Sequence, residues 1–220
     1  MRAIIFTGGR YRNLDFYAQL LEKERPAYIL CADKGTETAL ALGIKPDTVL
    51  GDFDSIAPEV LAQIKKMAIP MVVHPTHKDE TDTELAITTC LQRGCTEILL
   101  LGALGTRLDH SLSNIHLLGR LQAAGVYGRI MDEYNTLFLV EDRKVLELPV
   151  GTTLSVIAYT DRAEGVTLRG FEYPLDRADL DHLAAGLGVS NVAVAEHQEI
   201  VVESGILLVD VVHEEGFTDF

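Results

Sequence analysis

The sequence predicts a mostly parallel α/β sheet domain over residues 1–133, followed by a small all-β sandwich or barrel over residues 134–220. Two observations predict it. Up to about Glu133, short apolar runs alternate with amphipathic stretches of helical period, the pattern of a parallel sheet whose crossovers are helices. Beyond Asn135 the helical period largely disappears, and apolar runs follow one another with turn residues between them.

The first strand is Ile4 to Phe6, which ends in Thr7-Gly8-Gly9 and is too short for the apolar part of a signal segment. Tyr28 to Ala32, Thr48 to Leu50, Met71 to Val73, Ile98 to Leu101 and Arg129 to Met131 are the later strands of this half. Between them Leu14 to Glu24, Pro58 to Met67, Thr83 to Arg93 and Leu112 to Ala124 carry apolar residues at helical spacing. Gly43, Gly94 and Gly125 fall just after helical patterns, where a left-handed residue closes a helix most easily. The second half reads as strands at Leu137 to Val140, Lys144 to Leu148, Thr153 to Tyr159, Gly165 to Arg169, Glu199 to Glu203 and Ile206 to Val212. Glu141-Asp142-Arg143, Pro149-Val150-Gly151 and Glu203-Ser204-Gly205 supply turns between them.

A hydrophobic content of 47% in 220 residues is ample for a packed core. The net charge of −14 argues against a nucleic-acid partner, because a phosphate backbone is engaged through dense Lys and Arg. An acidic protein favours a cationic small molecule, and an anionic substrate needs a metal or a local basic pocket. No stretch approaches a membrane span. Cys31, Cys90 and Cys95 are odd in number and lack metal-ligand spacing, so a reducing cytoplasm is expected and no disulfide framework. The remaining histidines, His74, His77, His116, His182, His197 and His213, form no ligand spacing and read as structural or surface groups.

The acidic groups are the informative ones, since each sits where a strand gives way to a turn or helix. Asp52 and Asp54 follow Gly51 and flank Phe53. In an extended segment both carboxylates would point one way and Phe53 into apolar packing. Read alone, such a pair is equally a turn or a helix cap. Asp79 and Asp82 stand about one helical turn apart, with Thr81 and Glu84 spaced for a capping box; Lys78 beside them suits a bound phosphate. Asp33 ends the second strand and is either a helix cap or a member of the same sheet edge. The turn Gly102-Ala103-Leu104-Gly105 leads into Thr106-Arg107-Leu108-Asp109-His110, where glycines expose backbone N–H groups to phosphate and Arg107 offers a planar donor fork. His110 is read as an orienting or packing residue as much as an acid or base. Converging carboxylates invite a divalent cation, and Mg²⁺ with a polyphosphate makes phosphoryl or diphosphoryl transfer the first chemistry to consider.

Taken together, Ala32-Asp33-x-Gly35, Gly51-Asp52-x-Asp54-Ser55, Lys78-Asp79-x-Thr81-Asp82-x-Glu84, Gly102-x-x-Gly105-x-Arg107-x-Asp109-His110 with Asn114, and Ser190-Asn191 occur in the order seen in thiamine pyrophosphokinases, and the chain resembles that family over nearly its whole length. The resemblance implies an N-terminal domain that binds ATP and Mg²⁺, a C-terminal β-sandwich, and a homodimer with active sites in clefts between subunits. It implies transfer of a diphosphate from ATP to the hydroxyethyl group of thiamine with release of AMP. Asp52, Asp54 and Asp82 would then hold the metal and act in catalysis with Arg107 and Asp109. Asp33, Lys78, Asp79, Thr81, His110 and Asn114 would bind substrate, and Ser190 and Asn191 would line the thiamine pocket. The chain contains no Trp, so any aromatic face for thiamine would come from Tyr, Phe or His. Two other readings share these motifs: a diphosphokinase acting on a hydroxymethylpterin, and a non-catalytic nucleotide sensor.

Overall fold

The computed structural model describes residues 1–54, 56–75, 79–183 and 185–213. The chain divides into two compact units, Met1–Glu133 and Tyr134–Phe220. Among the described residues of the first unit six strands alternate with five helices: β1 Arg2–Phe6, α1 Leu14–Glu24, β2 Tyr28–Ala32, α2 Gly35–Ala41, β3 Thr48–Gly51, α3 Pro58–Lys66, β4 Met71–Val73, α4 Asp82–Gln92, β5 Glu97–Leu101, α5 Leu108–Ala123 and β6 Tyr127–Met131. The strands lie in the order β6-β5-β1-β2-β3-β4 and every pairing is parallel. Ala3–Phe6 and Ile98–Leu101 are wholly buried, as expected of central parallel strands covered on both faces. The chain winds outward from β1 in one direction and returns to its other side at β5. The carboxyl ends of β1 and β5 are therefore the topological switch point, where an open α/β sheet leaves a crevice.

Helix ends follow the expected local chemistry. Asn13 caps α1 through its side chain, accepting from the N–H groups of Asp15 and Phe16. Thr81 and Glu84 form the reciprocal capping box on α4. Gly43, Gly94 and Gly125 all adopt positive φ, between 69° and 74°. α5 begins at Leu108 rather than Leu112, because Leu108 and Leu112 are both exposed and give no apolar signal of a buried face.

The second unit holds β7 Asn135–Val140, β8 Arg143–Leu146, β9 Thr153–Ala158, β10 Arg162–Arg169, β11 Leu175–Asp181, a 3₁₀ turn Ala185–Gly188, β12 Asn191–Val192, β13 Gln198–Val201 and β14 Leu207–Val212. They form two antiparallel sets, β12-β9-β14-β7 and β11-β10-β13-β8. β14 alternates strictly, with Leu207, Val209 and Val211 buried. β11 has no counterpart in the sequence reading: it is an edge strand whose one buried side chain is Leu180, so backbone pairing to β10 rather than apolar periodicity holds it. Among the described residues no helix is long and apolar enough to cross a membrane. All three cysteines are free and buried.

His213 lies at the end of β14, with Nε2 3.0 Å from Thr136 Oγ1, and burial lowers its pKa from 6.5 to about 4. The unfolded chain therefore takes up a proton that the folded chain refuses. The stability this neutral imidazole contributes is complete above pH 6.5 and is lost as the pH falls toward 4. Melting temperatures across this range are expected to fall more steeply for the wild type than for His213→Gln; parallel curves would rule the titration out.

Candidate functional site

Loops from three strand ends and the starts of α4 and α5 meet at the switch point of the first unit. They enclose a cavity of about 840 Å³ lined by Thr7–Arg10 after β1, Ala32–Lys34 after β2, Thr81–Thr83, Gly102–Arg107 after β5, and His110, Ser111 and Asn114 of α5. Beside it, Asp33, Asp52 and Asp54 each bring a carboxylate oxygen to within 4.8 Å of the others.

Asp33 reaches this cluster because it does not cap α2, whose N-cap is Lys34 without a side-chain bond. Asp33 has φ 46°, its N–H donates to the Leu50 carbonyl at 2.9 Å, and Oδ1 lies 3.4 Å from the Phe53 N–H. Gly51 makes room for it: a Cβ there would stand 2.3 Å from Asp33 Oδ1, and the backbone φ of 151° is one that other residues rarely adopt. Asp52, Phe53 and Asp54 are not extended as the alternation implied. Phe53 is left-handed at φ 61° and only half-buried, and the Asp54 N–H donates to Asp52 Oδ1 at 3.1 Å. The two carboxylates converge through this turn rather than through strand alternation.

Repulsion dominates at Asp54. Its carboxyl is pushed above the ordinary aspartate value, first by its hydrogen bond and charge interaction with Asp52, then by desolvation and Asp82, with Lys34 pulling the other way. Oxygen-only donors that repel one another are what a hard divalent cation binds.

Asp82 is the first residue of α4 and lines the cavity, but it acts on Asp54 through space and is not part of the close trio. Thr81, the helix cap, lines the cavity too, whereas Asp79 is exposed in a bend before the helix, so helical spacing does not relate it to Asp82. Ser55 and Lys78 lie outside the described residues.

On the β5 side, Arg107 and Asp109 form an exposed two-pronged ion pair, Nε to Oδ1 at 3.0 Å and Nη2 to Oδ2 at 2.5 Å. The hydrogen bond from Arg107 lowers the Asp109 pKa to about 2. The Gly105 N–H is not exposed for a ligand: Ser111 Oγ accepts from it at 3.1 Å. Asn114 is buried and donates Nδ2 to the Ala103 carbonyl at 2.7 Å, fixing the turn from the helix side. His110 is exposed at the cavity wall.

Ser190 and Asn191 belong to the other unit. Asn191 is buried and pairs with the Tyr173 backbone in both directions, Nδ2 to O at 2.7 Å and N to Oδ1 at 2.9 Å. Ser190 has φ 59° and is exposed, its N–H donating to Ser155 Oγ at 3.1 Å. Gly8, Gly9, Arg10, Lys34, Thr83 and Ser111 also line the cavity, although the sequence alone pointed to no role for them. The only signal was that the first strand ends in two glycines and a cation.

Residues 17–127 match the family model described as thiamin pyrophosphokinase, catalytic domain, and residues 142–207 match that described as thiamin pyrophosphokinase, vitamin B1 binding domain. A thiamine pyrophosphokinase of Bacillus subtilis (strain 168) is 32% identical over 178 residues, 80% of this chain and 83% of that protein. Thiamine pyrophosphokinase 1 of Oryza sativa subsp. japonica is 25% identical over 211 residues, 91% of this chain and 75% of the relative. Among solved structures, thiamine pyrophosphokinase from Bacillus subtilis superposes with a TM-score of 0.88 at 27% identity, covering 97% of this chain and 100% of that one. That from Geobacillus thermodenitrificans gives 0.83 at 27% identity, covering 97% and 98%.

Proposed function

The chain belongs to the thiamine pyrophosphokinase family, a family of transferases, and on that premise we propose that it moves a diphosphate from ATP to the hydroxyl of thiamine with Mg²⁺ held by the acidic cluster of the first unit. The observation that carries the metal assignment is the meeting of Asp33, Asp52 and Asp54 oxygens within 4.8 Å beside a switch-point cavity that Asp33 itself lines. The residues fit a hard cation, because the donors are all carboxylate oxygens and their mutual repulsion already raises the Asp54 carboxyl. Mg²⁺ there would neutralise the polyphosphate and polarise the phosphoryl oxygens.

The chain's own groups do the rest. Asp52 and Asp54, with Asp33, hold the cation side. Asp82 faces the cavity from α4, and Thr81 keeps the first turn of that helix in place. Arg107, oriented by Asp109, presents its guanidinium at the rim of the same cavity. His110 lines that wall from the first turn of α5, and Asn114 holds the turn at Ala103 that leads into the helix. The thiamine hydroxyl oxygen bonds to the β-phosphorus as its proton passes to one of the facing carboxylates, the bond from the β-phosphorus to the oxygen it shares with the α-phosphate breaks, and AMP leaves with that oxygen. Such a step needs alignment and charge neutralisation more than covalent help. Lys78 and Asp79 are assigned to substrate binding from sequence. In the second unit the exposed Ser190 is the group that contacts thiamine, while Asn191 holds the loop that carries it.

A homodimer belongs to this reading, and the exposed Val150, Tyr173, Leu187, Val189 and Val194 of the second unit supply apolar surface for a second copy. Location in the cytoplasm suits three free, buried cysteines. The pterin and sensor readings are not favoured, since models of both the catalytic and the vitamin B1 binding domain match.

The test is AMP release with thiamine, with a pterin alcohol and with no acceptor. Release driven by thiamine alone is expected, with Ser190→Ala raising the thiamine KM several-fold, the cost of about one neutral hydrogen bond, at unchanged ATP KM. Release with the pterin alcohol but not thiamine would overturn the assignment.

A further inference from the structure

The connection from β1 to α1 is held along most of its length by groups that the reaction itself does not call for. Thr7 donates its N–H and its hydroxyl to the Leu101 carbonyl at 2.9 and 3.0 Å. Gly9 touches the β5 loop so closely that a Cβ would stand 1.9 Å from the Gly102 carbonyl oxygen, and the Arg10 N–H reaches the Leu104 carbonyl at 3.4 Å. The Tyr11 hydroxyl lies 3.0 Å from the Thr7 carbonyl and 2.9 Å from that of Leu101, tying the ends of β1 and β5 together. Next, Glu133 Oε1 accepts from the N–H groups of Arg12 and Asn13 at 2.6 and 2.8 Å, and its Oε2 accepts from the Tyr17 hydroxyl at 3.0 Å. Glu133 is 4% exposed, and Tyr17, wholly buried, packs edge-on against Tyr11 at 4.8 Å.

A buried carboxylate that satisfies two adjacent backbone amides fixes the course of the loop on one side of Arg10, and the Gly9 contact fixes it on the other. The Arg10 side chain lines the cavity, is exposed, and has no ion-pair partner among the described residues. Arg107, on the opposite loop, is already paired with Asp109. The cavity thus carries, on a backbone fixed by the fold, a guanidinium with no ion-pair partner among the described residues.

Resting on the nucleotide reading above, we infer that Arg10 binds the polyphosphate of the nucleotide and that Glu133 is the residue that positions it. Guanidinium donors suit phosphate oxygens bidentately, and a pre-set loop spares the ordering cost on binding.

Equilibrium binding of a non-hydrolysable ATP analogue with Mg²⁺, measured without acceptor, tests this directly, alongside ATP and thiamine KM. Arg10→Ala is expected to weaken nucleotide binding about tenfold or more, the worth of a charge-assisted hydrogen bond, with thiamine KM unchanged; Arg10→Lys recovers part of the loss. Glu133→Ala is expected to produce a comparable nucleotide-specific loss, Glu133→Gln, which still offers an oxygen to both amides, to restore most of it, and the Arg10→Ala/Glu133→Ala double variant to be no worse than either alone. Should Glu133→Ala fail to fold, Tyr17→Phe replaces it in the cycle, with a smaller loss that vanishes in the Arg10→Ala background. Nucleotide affinity within about twofold of wild type in Arg10→Ala, or fully additive losses in the double variant, would overturn the inference. Wild-type protein that binds the analogue but releases no AMP with thiamine would instead defeat the proposed function and leave this test intact.

Discussion

Asp52→Asn and Asp54→Asn are each expected to lower turnover of thiamine by about a hundredfold or more while the protein stays folded. Asp52 is half-buried and Asp54 exposed, so neither supports a core, and an Asn at 52 still offers an Oδ1 to the Asp54 N–H that closes the turn. The charge that is removed is one of three crowded into a space less than 5 Å across, where the Asp54 carboxyl is already pushed up by Asp52. Removing it relieves repulsion in the metal-free protein and weakens the cation site in the loaded one. Thermal melts with and without Mg²⁺ separate these effects. The wild type is expected to gain more stability from Mg²⁺ than either variant, and the metal-free variants are expected to melt no lower than wild type. Near-normal turnover in both at saturating Mg²⁺ would remove the pair from the mechanism.

At the other end of the sheet, Arg129→Met is expected to cost about 3 kcal/mol of stability or more while leaving the site chemistry of the folded fraction intact. Arg129 projects from β6 and donates Nη2 to Glu24 at 2.8 Å and to Glu97 at 2.9 Å; these three side chains are 14%, 9% and 22% exposed. Arg2, at the start of β1, completes the group with Nε 2.9 Å from Glu97 and Nη1 2.6 Å from the Glu24 carbonyl. The network joins the start of two central strands to the end of α1 and the middle of β6. Taking out Arg129 leaves two poorly hydrated carboxylates to the more exposed Arg2, and that poorly compensated burial, more than the lost attraction, accounts for the size of the effect. Adding Glu24→Gln is expected to return part of the loss. A change in urea midpoint equivalent to less than about 1 kcal/mol would show that water or rearrangement replaces the pair.

Local chemistry explains what could be read in advance. Runs of Ile, Leu and Val of strand length, helical spacing between them, the Thr81–Glu84 capping box and the glycines at 43, 94 and 125 are set by neighbours a few residues away, and they appear within a few residues of where the sequence puts them, whereas the short helix α2 carried no such signal. Asp52 and Asp54 were recognisable as a pair because they sit at a strand end. How they converge was not, because Phe53 adopts a left-handed conformation that no local pattern announces. β11 escaped for the opposite reason: its stability comes from pairing with a strand already in place, and its composition carries almost no apolar signal.

By itself the sequence determined the α/β half, the antiparallel half, the acidic motifs at strand ends and the family. The tertiary structure alone decided which motifs meet. The order β6-β5-β1-β2-β3-β4 brings the end of the first strand beside the end of the fifth, across more than ninety residues of chain. That adjacency is what puts Gly9 against Gly102, Tyr11 between two strand ends and Arg10 in the cavity. In the same order the pairing of β2 with β3 sets Asp33 beside Asp52, and its side chain does not cap the helix it precedes. Spacing along the chain records the period of each element but not the order in which strands lie in the sheet, and in an open parallel sheet it is that order which locates the crevice.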